Sequence, residues 1–298
     1  MRDTEFRNPR FLEIDRWDTL EAVEAMLEGQ LAAIASIASQ TSTIAHAADA
    51  AAQRLKGGGR LIYAGAGTSG RIAVQDGIEL GPTFSWPDDR LVYLMAGGPE
   101  ALTASVEGAE DDGDEGRRLI RANAVGPGDV AIGIAASGRT PFTVAAISAA
   151  RETGALTIGI TNNASTPLLD ASEFAISLQT GGEIVAGSTR MKAGTAQKAV
   201  ANMLSTAIML RLGRVYRGLM VDMVVSNDKL LQRAQGIVAM LADCSESAAI
   251  GAVESAGHDI KRAVLIALGQ SPSEAAELID RTGGILREAI AILELEGR

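Results

Sequence analysis

Between residues 60 and 180 the chain sets short apolar runs at near-regular intervals: "RLIYAGA" (60–66), "LVYLMAG" (91–97), "VAIGIAA" (130–136), "ALTIGIT" (155–161) and "FAISLQT" (174–180). A strand covered on both faces has no polar side to show, so unbroken apolar runs separated by helical stretches are the pattern of a buried parallel sheet. Right-handed crossovers between such strands give an open, doubly wound α/β sandwich. Ahead of it, Asp18 to Leu55 reads as helix, opened by the capping-box spacing of Asp18 and Glu21 and stopped by Gly57 to Gly59. Helical composition also covers 99–111, 114–123, a segment after the turn "SGRTP" (137–141) through Thr153, and a long stretch after "GSTRMKAGT" (187–195) to Leu212. From Asn227 to Arg298 the pattern is a string of short helices without strands. The layout expected is an N-terminal helical arm (1–50), an α/β domain with a mostly parallel sheet (51–218) and a C-terminal helical region (219–298). The arm is long and poor in turn signals, which suits packing on a partner chain.

Composition narrows the function. The 298 residues are 47% hydrophobic but only 3% aromatic, so the core is built from Ala, Leu, Ile and Val. A net charge of −10 gives no counterion-release energy with a polyanion, which argues against nucleic acid and anionic membranes as partners. One cysteine, Cys244, and two distant histidines, His46 and His258, leave no thiolate cluster and no expectation of a metal site or other cofactor. The opening "MRDTEFRNPRFLEIDRW" has no apolar leader-like run, so a cytoplasmic protein is expected.

"AGAGTSGRIAVQDGIEL" (64–80) contains Gly65, Gly67 and Gly70 in the spacing G-x-G-x-x-G. A dinucleotide site also needs an acid at the end of the second strand to bind ribose. Asp88 and Asp89 precede that strand, and Glu100 comes late, so the dinucleotide reading fails. The hydroxyls point elsewhere. Thr68 and Ser69, Ser137 to Thr140, and Ser188 with Thr189 all sit in turns beside helix starts. Helix N-termini bind anions, small hydroxyls add donors without bulk, and open α/β sheets bind ligands beyond the carboxyl ends of their strands. Such donors suit a phosphomonoester; the plainer alternative is that each hydroxyl merely caps a helix.

"GAGTSGR" and "AASGRTP" resemble the turns of the sugar-isomerase (SIS) fold, which grip the phosphate of a sugar phosphate. The resemblance narrows further. "TEFRN", "LIYAGAGTSGR", "VEGAEDD", "GIAASGRTPF", "GSTRMKAGTAQK", "NMLSTA" and "LMVDMVVSN" follow the order and spacing of the N-acetylmuramic acid 6-phosphate etherase family over most of residues 4 to 235, and "RTGGILREAI" is similar to that family's C-terminal region. The resemblance implies cleavage of the D-lactyl ether of N-acetylmuramic acid 6-phosphate to N-acetylglucosamine 6-phosphate and D-lactate, by elimination then hydration. It implies Glu79 as the acid that protonates departing lactate and Glu110 as the group that moves the C2 proton. The implied phosphate grip is Thr68, Ser69, Ser137, Arg139, Thr140 and Ser188, with Lys192 adding positive potential. Arg139 and Arg190 are equally readable as structural salt-bridge partners.

On an unbroken helix Glu79 lies nine residues beyond Gly70, about 13 Å away at the α-helical rise. Either Gly77 interrupts the helix or Glu79 serves a site shared across a homodimer; the second is the reading preferred here. The chain departs from the family pattern at Asp76-Gly77-Ile78, where Asp-Ala-Ser is expected, at "LGPTF" and at "GLMVD". Three other readings compete. A non-catalytic sugar-phosphate sensor would lack the etherase activity, and a DNA-binding module is not evident in the short acidic arm. An aldose–ketose isomerase of the same fold also uses a carboxylate at C2, but "VEGAEDD" and "STRMKAGTAQK" favour the etherase. A nicotinamide-dependent oxidoreductase is the least supported.

Overall fold

The computed structural model describes residues 3–296. In chain order its regular elements are α1 (Thr19–Ala35), α2 (Thr41–Lys56), β1 (Leu61–Gly65), α3 (Gly67–Ile78), α4 (Leu80–Phe84), β2 (Leu91–Met95), α5 (Gly113–Ala122), β3 (Val130–Ile134), α6 (Pro141–Glu152), β4 (Leu156–Thr161), α7 (Pro167–Ala171), β5 (Phe174–Ser177), α8 (Lys192–Arg211), the two-residue strands β6 (Val215–Tyr216) and β7 (Leu219–Met220), then α9 (Asp228–Ala242), α10 (Glu246–Ser255), α11 (Ile260–Ala267), α12 (Pro272–Arg281) and α13 (Leu286–Glu296). The chain divides into two compact units, residues 1–78 with 88–208, and residues 79–87 with 209–298.

The first unit holds the expected doubly wound sheet, five parallel strands in the order β2-β1-β3-β4-β5. Every residue of β1, β3 and β4 is buried, whereas the edge strands β2 and β5 are partly exposed. That is why the central runs are the most uniformly apolar. β1 and β3 are level, Gly65 opposite Ile134. Their start is pinned by Asp129, whose carboxylate accepts from the Arg60 backbone N–H at 2.9 Å and pairs with its guanidinium at 2.7 Å. The strand order reverses between β1 and β3, so the loops leaving these strands diverge and open a crevice between them.

Two sequence expectations change in detail. The helix expected over 18–55 breaks into α1 and α2 around a 3₁₀ turn at Ser36–Gln40. Asp18 caps α1 by accepting from Leu20 N–H at 2.9 Å. The helical reading of 99–111 resolves into two 3₁₀ turns, Pro99–Leu102 and Ala109–Asp111, joined by loop. Gly97, Gly98 and Gly108, all at positive φ, punctuate this stretch and interrupt any continuous helix.

The second unit is helical, built around the apolar faces of α9 to α13, with Val238, Val253, Ala263 and Val264 fully enclosed. Residues 79–87 join it through hydrogen bonds: Ser85 Oγ donates to the Asp222 carbonyl at 2.6 Å, Arg214 to Phe84 at 3.1 Å, and the Val224 N–H to Pro82 at 3.2 Å. The β6–β7 hairpin turns on Arg217 and Gly218, both at positive φ. Its two-residue left-handed turn lacks the Asn-Gly or Asp-Gly pair that makes such hairpins readable from sequence.

Candidate functional site

Close approach explains two of the three glycines of "GAGTSG", and backbone conformation the third. A Cβ on Gly65 would meet the Gly70 Cα at 2.7 Å, so α3 can lie directly against the end of β1 only if both positions lack side chains. Gly67, at φ +52, makes the turn into the helix. The packing logic is that of a dinucleotide turn; the surroundings are not.

A cleft of about 310 Å³ opens at the carboxyl ends of β1 and β3, and all its lining residues belong to the first unit. One wall is the start of α3 with Gly67, Thr68 and Ser69; another is the Ser137 to Pro141 turn leading into α6. Both helices are twelve residues long, so each presents free N–H groups and a positive dipole end to the cleft. This local field opposes the global negative charge. The Thr140 side chain makes no capping hydrogen bond to α6 although it stands at the N-cap, and it lines the cleft instead. Ser137 Oγ accepts from the Arg139 N–H at 3.1 Å, which leaves its own proton to donate. Arg139 also lines the cleft and donates to the Ser165 carbonyl at 3.4 Å.

The Ser137 turn is buttressed from below. The Ala136 carbonyl accepts from the Asn162 N–H at 3.0 Å, from Asn163 Nδ2 at 2.8 Å and from Thr161 Oγ1 at 3.3 Å, while Gly138 O accepts from the Leu168 N–H at 3.0 Å. Buried partners of this kind hold donors in place before a ligand arrives. Glu110 and Asp111, from the 3₁₀ turn Ala109–Asp111, face the same cleft.

Of the residues expected to hold phosphate, Thr68, Ser69, Ser137, Arg139 and Thr140 are brought together, and Glu110 lines the same cleft. Ser188 and Lys192 do not line the cleft; Gly187 and Thr189 do. The Lys192 ammonium donates to the Gly182 carbonyl at 3.0 Å, and its backbone N–H, with that of Ala193, is capped by the buried Glu183 carboxylate at 3.0 and 2.9 Å. Thr189 was singled out as a turn hydroxyl but not placed in the phosphate grip, and Thr4, Glu5 and Asp111 were not named as site residues; the signals available were the family motif "TEFRN" for Thr4 and Glu5 and adjacency to Glu110 for Asp111. Among the described residues no group of His, Cys, Asp or Glu is arranged to hold a metal ion.

Residues 43–151 match the glucokinase regulatory protein N-terminal SIS domain, and residues 116–207 match the SIS domain. A candidate phosphosugar isomerase involved in capsule formation from Bacteroides fragilis superposes with a TM-score of 0.50 at 20% identity, over 65% of this chain and 91% of that one, and shares the fold. Sequence relatives are nearer. An N-acetylmuramic acid 6-phosphate etherase from Deinococcus radiodurans is 43% identical over 97% of this chain and 95% of its own length. Its counterpart from Symbiobacterium thermophilum is 48% identical over 89% of this chain and 88% of its own, and that from Streptomyces coelicolor is 44% identical over 97% and 93%. The chain belongs to the N-acetylmuramic acid 6-phosphate etherase family.

Within this etherase family, the Gly77 departure has a structural cause. Tyr63 and Tyr93 stack on each other, ring centroids 6.1 Å apart, and a Cβ at Gly77 would come within 2.6 Å of Tyr93 Cε1. Beside it Asp76 is buried and accepts hydrogen bonds from Tyr63 OH at 2.8 Å, Asn202 Nδ2 at 2.6 Å and Ser205 Oγ at 3.1 Å. Burial pushes the Asp76 carboxyl above its ordinary range, and these three donors pull against that shift. Burial and the neighbouring Asp76 also raise the Tyr63 hydroxyl. α3 therefore runs through Gly77 without interruption and ends at Ile78. Glu79 follows as an exposed residue ahead of α4, in the second unit.

Proposed function

We propose that this protein cleaves the D-lactyl ether of N-acetylmuramic acid 6-phosphate, giving N-acetylglucosamine 6-phosphate and D-lactate. The observation that carries the reading is the cleft between β1 and β3, lined by two helix N-termini, by Ser69, Ser137 and Thr140, and by Glu110. A phosphate dianion suits the converging donors, and a phosphorylated sugar, which does not cross a membrane unaided, is met in the cytoplasm. Membership of the etherase family narrows the sugar.

The chemistry follows from the open-chain substrate. Its C1 aldehyde acidifies the C2 proton, and the ether oxygen on C3 is placed for β-elimination. Glu110 takes the C2 proton; the C2–H electrons form the C2=C3 double bond as the C3–O bond breaks. Glu79 gives its proton to the departing lactate oxygen and, now a carboxylate, takes one from water as that water adds to C3. Glu110 returns the proton to C2. Each proton transfer by a positioned side chain contributes about 10²–10⁴-fold in rate.

In this reading Glu79 reaches the cleft from a second copy of the chain. Two features support a homodimer with a shared site. Glu79 is exposed and lies at the far end of a helix that begins at the cleft. α1 carries Leu20, Val23, Leu27, Leu31 and Ile34 at three- and four-residue steps, each 45–66% exposed, which is the apolar seam of a helix that packs against another.

Incubating the protein with N-acetylmuramic acid 6-phosphate in D₂O and following the products by NMR tests the reaction. D-lactate release with deuterium at C2 of the sugar is expected. Binding without lactate release would replace the etherase by a non-catalytic sugar-phosphate sensor.

A further inference from the structure

The segment Asp3–Asn8 lies outside the sheet, yet two of its residues line the cleft. Thr4 anchors it and is only 1% exposed. Its carbonyl accepts from the Gly187 N–H at 3.2 Å, and its hydroxyl accepts from Asn163 Nδ2 at 3.3 Å. Asn163 is one of the residues that buttress the Ser137 turn, so the anchor and the phosphate turn share a support. Gly182 lets the chain come closer still: a Cβ there would meet the Phe6 carbonyl at 2.6 Å. Further on, Arg10 makes two hydrogen bonds to Glu28 of α1, at 2.8 and 2.7 Å. Between these ties Glu5 is presented to the cleft over Gly187, where a Cβ would lie 3.1 Å from its Oε2.

We infer that Glu5 is a specificity-determining residue that accepts hydrogen bonds from the hydroxyls of the sugar chain. This rests on the reading that the cleft holds a sugar phosphate. A carboxylate is an acceptor only and repels a phosphate dianion, so Glu5 has no favourable role toward the anionic end of the ligand. Hydroxyl groups between the phosphate and the reacting carbons are the donors that match it. Glu5 thus discriminates a polyhydroxylated phosphate from phosphate itself, favouring the first and disfavouring the second. The strap sets the position of the carboxylate, and Thr4 sets the position of the strap.

Calorimetric titration of the full-length protein with N-acetylglucosamine 6-phosphate, and separately with inorganic phosphate, tests this without depending on turnover. Glu5→Ala is expected to weaken the sugar phosphate roughly 10- to 100-fold, the range for a lost hydrogen bond to a charged group. The same variant binds inorganic phosphate as tightly as the wild type or more tightly, because a repelling charge is gone. Glu5→Gln, which keeps an acceptor oxygen, falls between wild type and Glu5→Ala for the sugar phosphate. Thr4→Val, which keeps Glu5 but releases its anchor, weakens the sugar phosphate and leaves inorganic phosphate unchanged. Parallel weakening of both ligands in Glu5→Ala, or no change in either, overturns the inference. Failure of the wild-type protein to bind N-acetylglucosamine 6-phosphate overturns the sugar-phosphate reading and this inference together, whereas wild-type binding with unaffected Glu5 variants overturns the inference alone.

Discussion

The turn around Glu110 and the corner that carries Glu79 are built on different principles. Glu110 sits in one short 3₁₀ turn, exposed, in a loop that follows β2 and faces the cleft. The Glu79 corner follows a twelve-residue helix whose last turns are locked by the buried Asp76 hydrogen bonds and the stacked tyrosines. Loops at the carboxyl ends of level parallel strands gather at one edge of the sheet without further help, because strand register brings them there. A residue just past the opposite end of α3 is instead carried about 18 Å along the helix axis from its first residue, and in the reading proposed above it serves the cleft of a second copy of the chain.

The strongest way to break the comparison is to remove each acid. Glu110→Gln and Glu79→Gln should each lower kcat by about 10²–10⁴-fold with little change in KM, measured by lactate release. Mixed dimers of Glu79→Gln with Ser137→Ala chains then separate the two settings: a shared site restores activity in the mixture, and a site made within one chain leaves the mixture no more active than the average of its parents. Next in size is the phosphate grip. Ser137→Ala should raise KM about 10- to 100-fold by removing a donor to a charged oxygen, whereas Ser188→Ala should change it by less than about threefold, since only the first side chain lines the cleft.

Gly77→Ala sharpens the comparison from the structural side. The added methyl has no space beside Tyr93, so a loss of about 1–3 kcal/mol in urea unfolding is expected, with recovery in the Gly77→Ala, Tyr93→Leu double variant. The smallest effect is a pH trend. Burial raises the Asp76 carboxyl in the folded state, so its contribution to stability is present below the ordinary carboxylate pKa of about 4 and declines as pH rises through the elevated value. Asp76→Asn removes that decline. The stability difference, wild type minus variant, should therefore fall as pH rises above about 4.

Much of this was readable before the coordinates. The five apolar runs became the five strands of one parallel sheet, because a strand buried on both faces leaves an unmistakable composition. Thr68, Ser69, Ser137, Arg139 and Thr140 were marked by small hydroxyl residues and one cation in turns after strands, and they line one cleft. Ser188 was marked by the same local logic and lies outside it. Its loop, residues 178–191, is placed by Glu183 capping α8 and by contacts with the segment around Thr4, and neither has a local pattern. The "TEFRN" motif held Glu5 in view without giving it a role, since a glutamate there looks solvated until the buried Thr4 is seen to tie it down. The break at Ser36–Gln40 and the positive-φ hairpin at Arg217 and Gly218 were also hidden, since each depends on backbone geometry that its residues do not advertise.

By itself the sequence determined the α/β class, the strand-to-helix turns that carry the candidate site and the family to which the chain belongs, because these rest on local periodicity, turn chemistry and motif spacing. Only the tertiary structure decided which turns meet in one cleft, that residues 79–87 join the helical unit, and that Gly77 is required by the Tyr63–Tyr93 stack. Those outcomes depend on strand order, register and close packing between segments far apart in the chain, and no window of neighbouring residues contains that information.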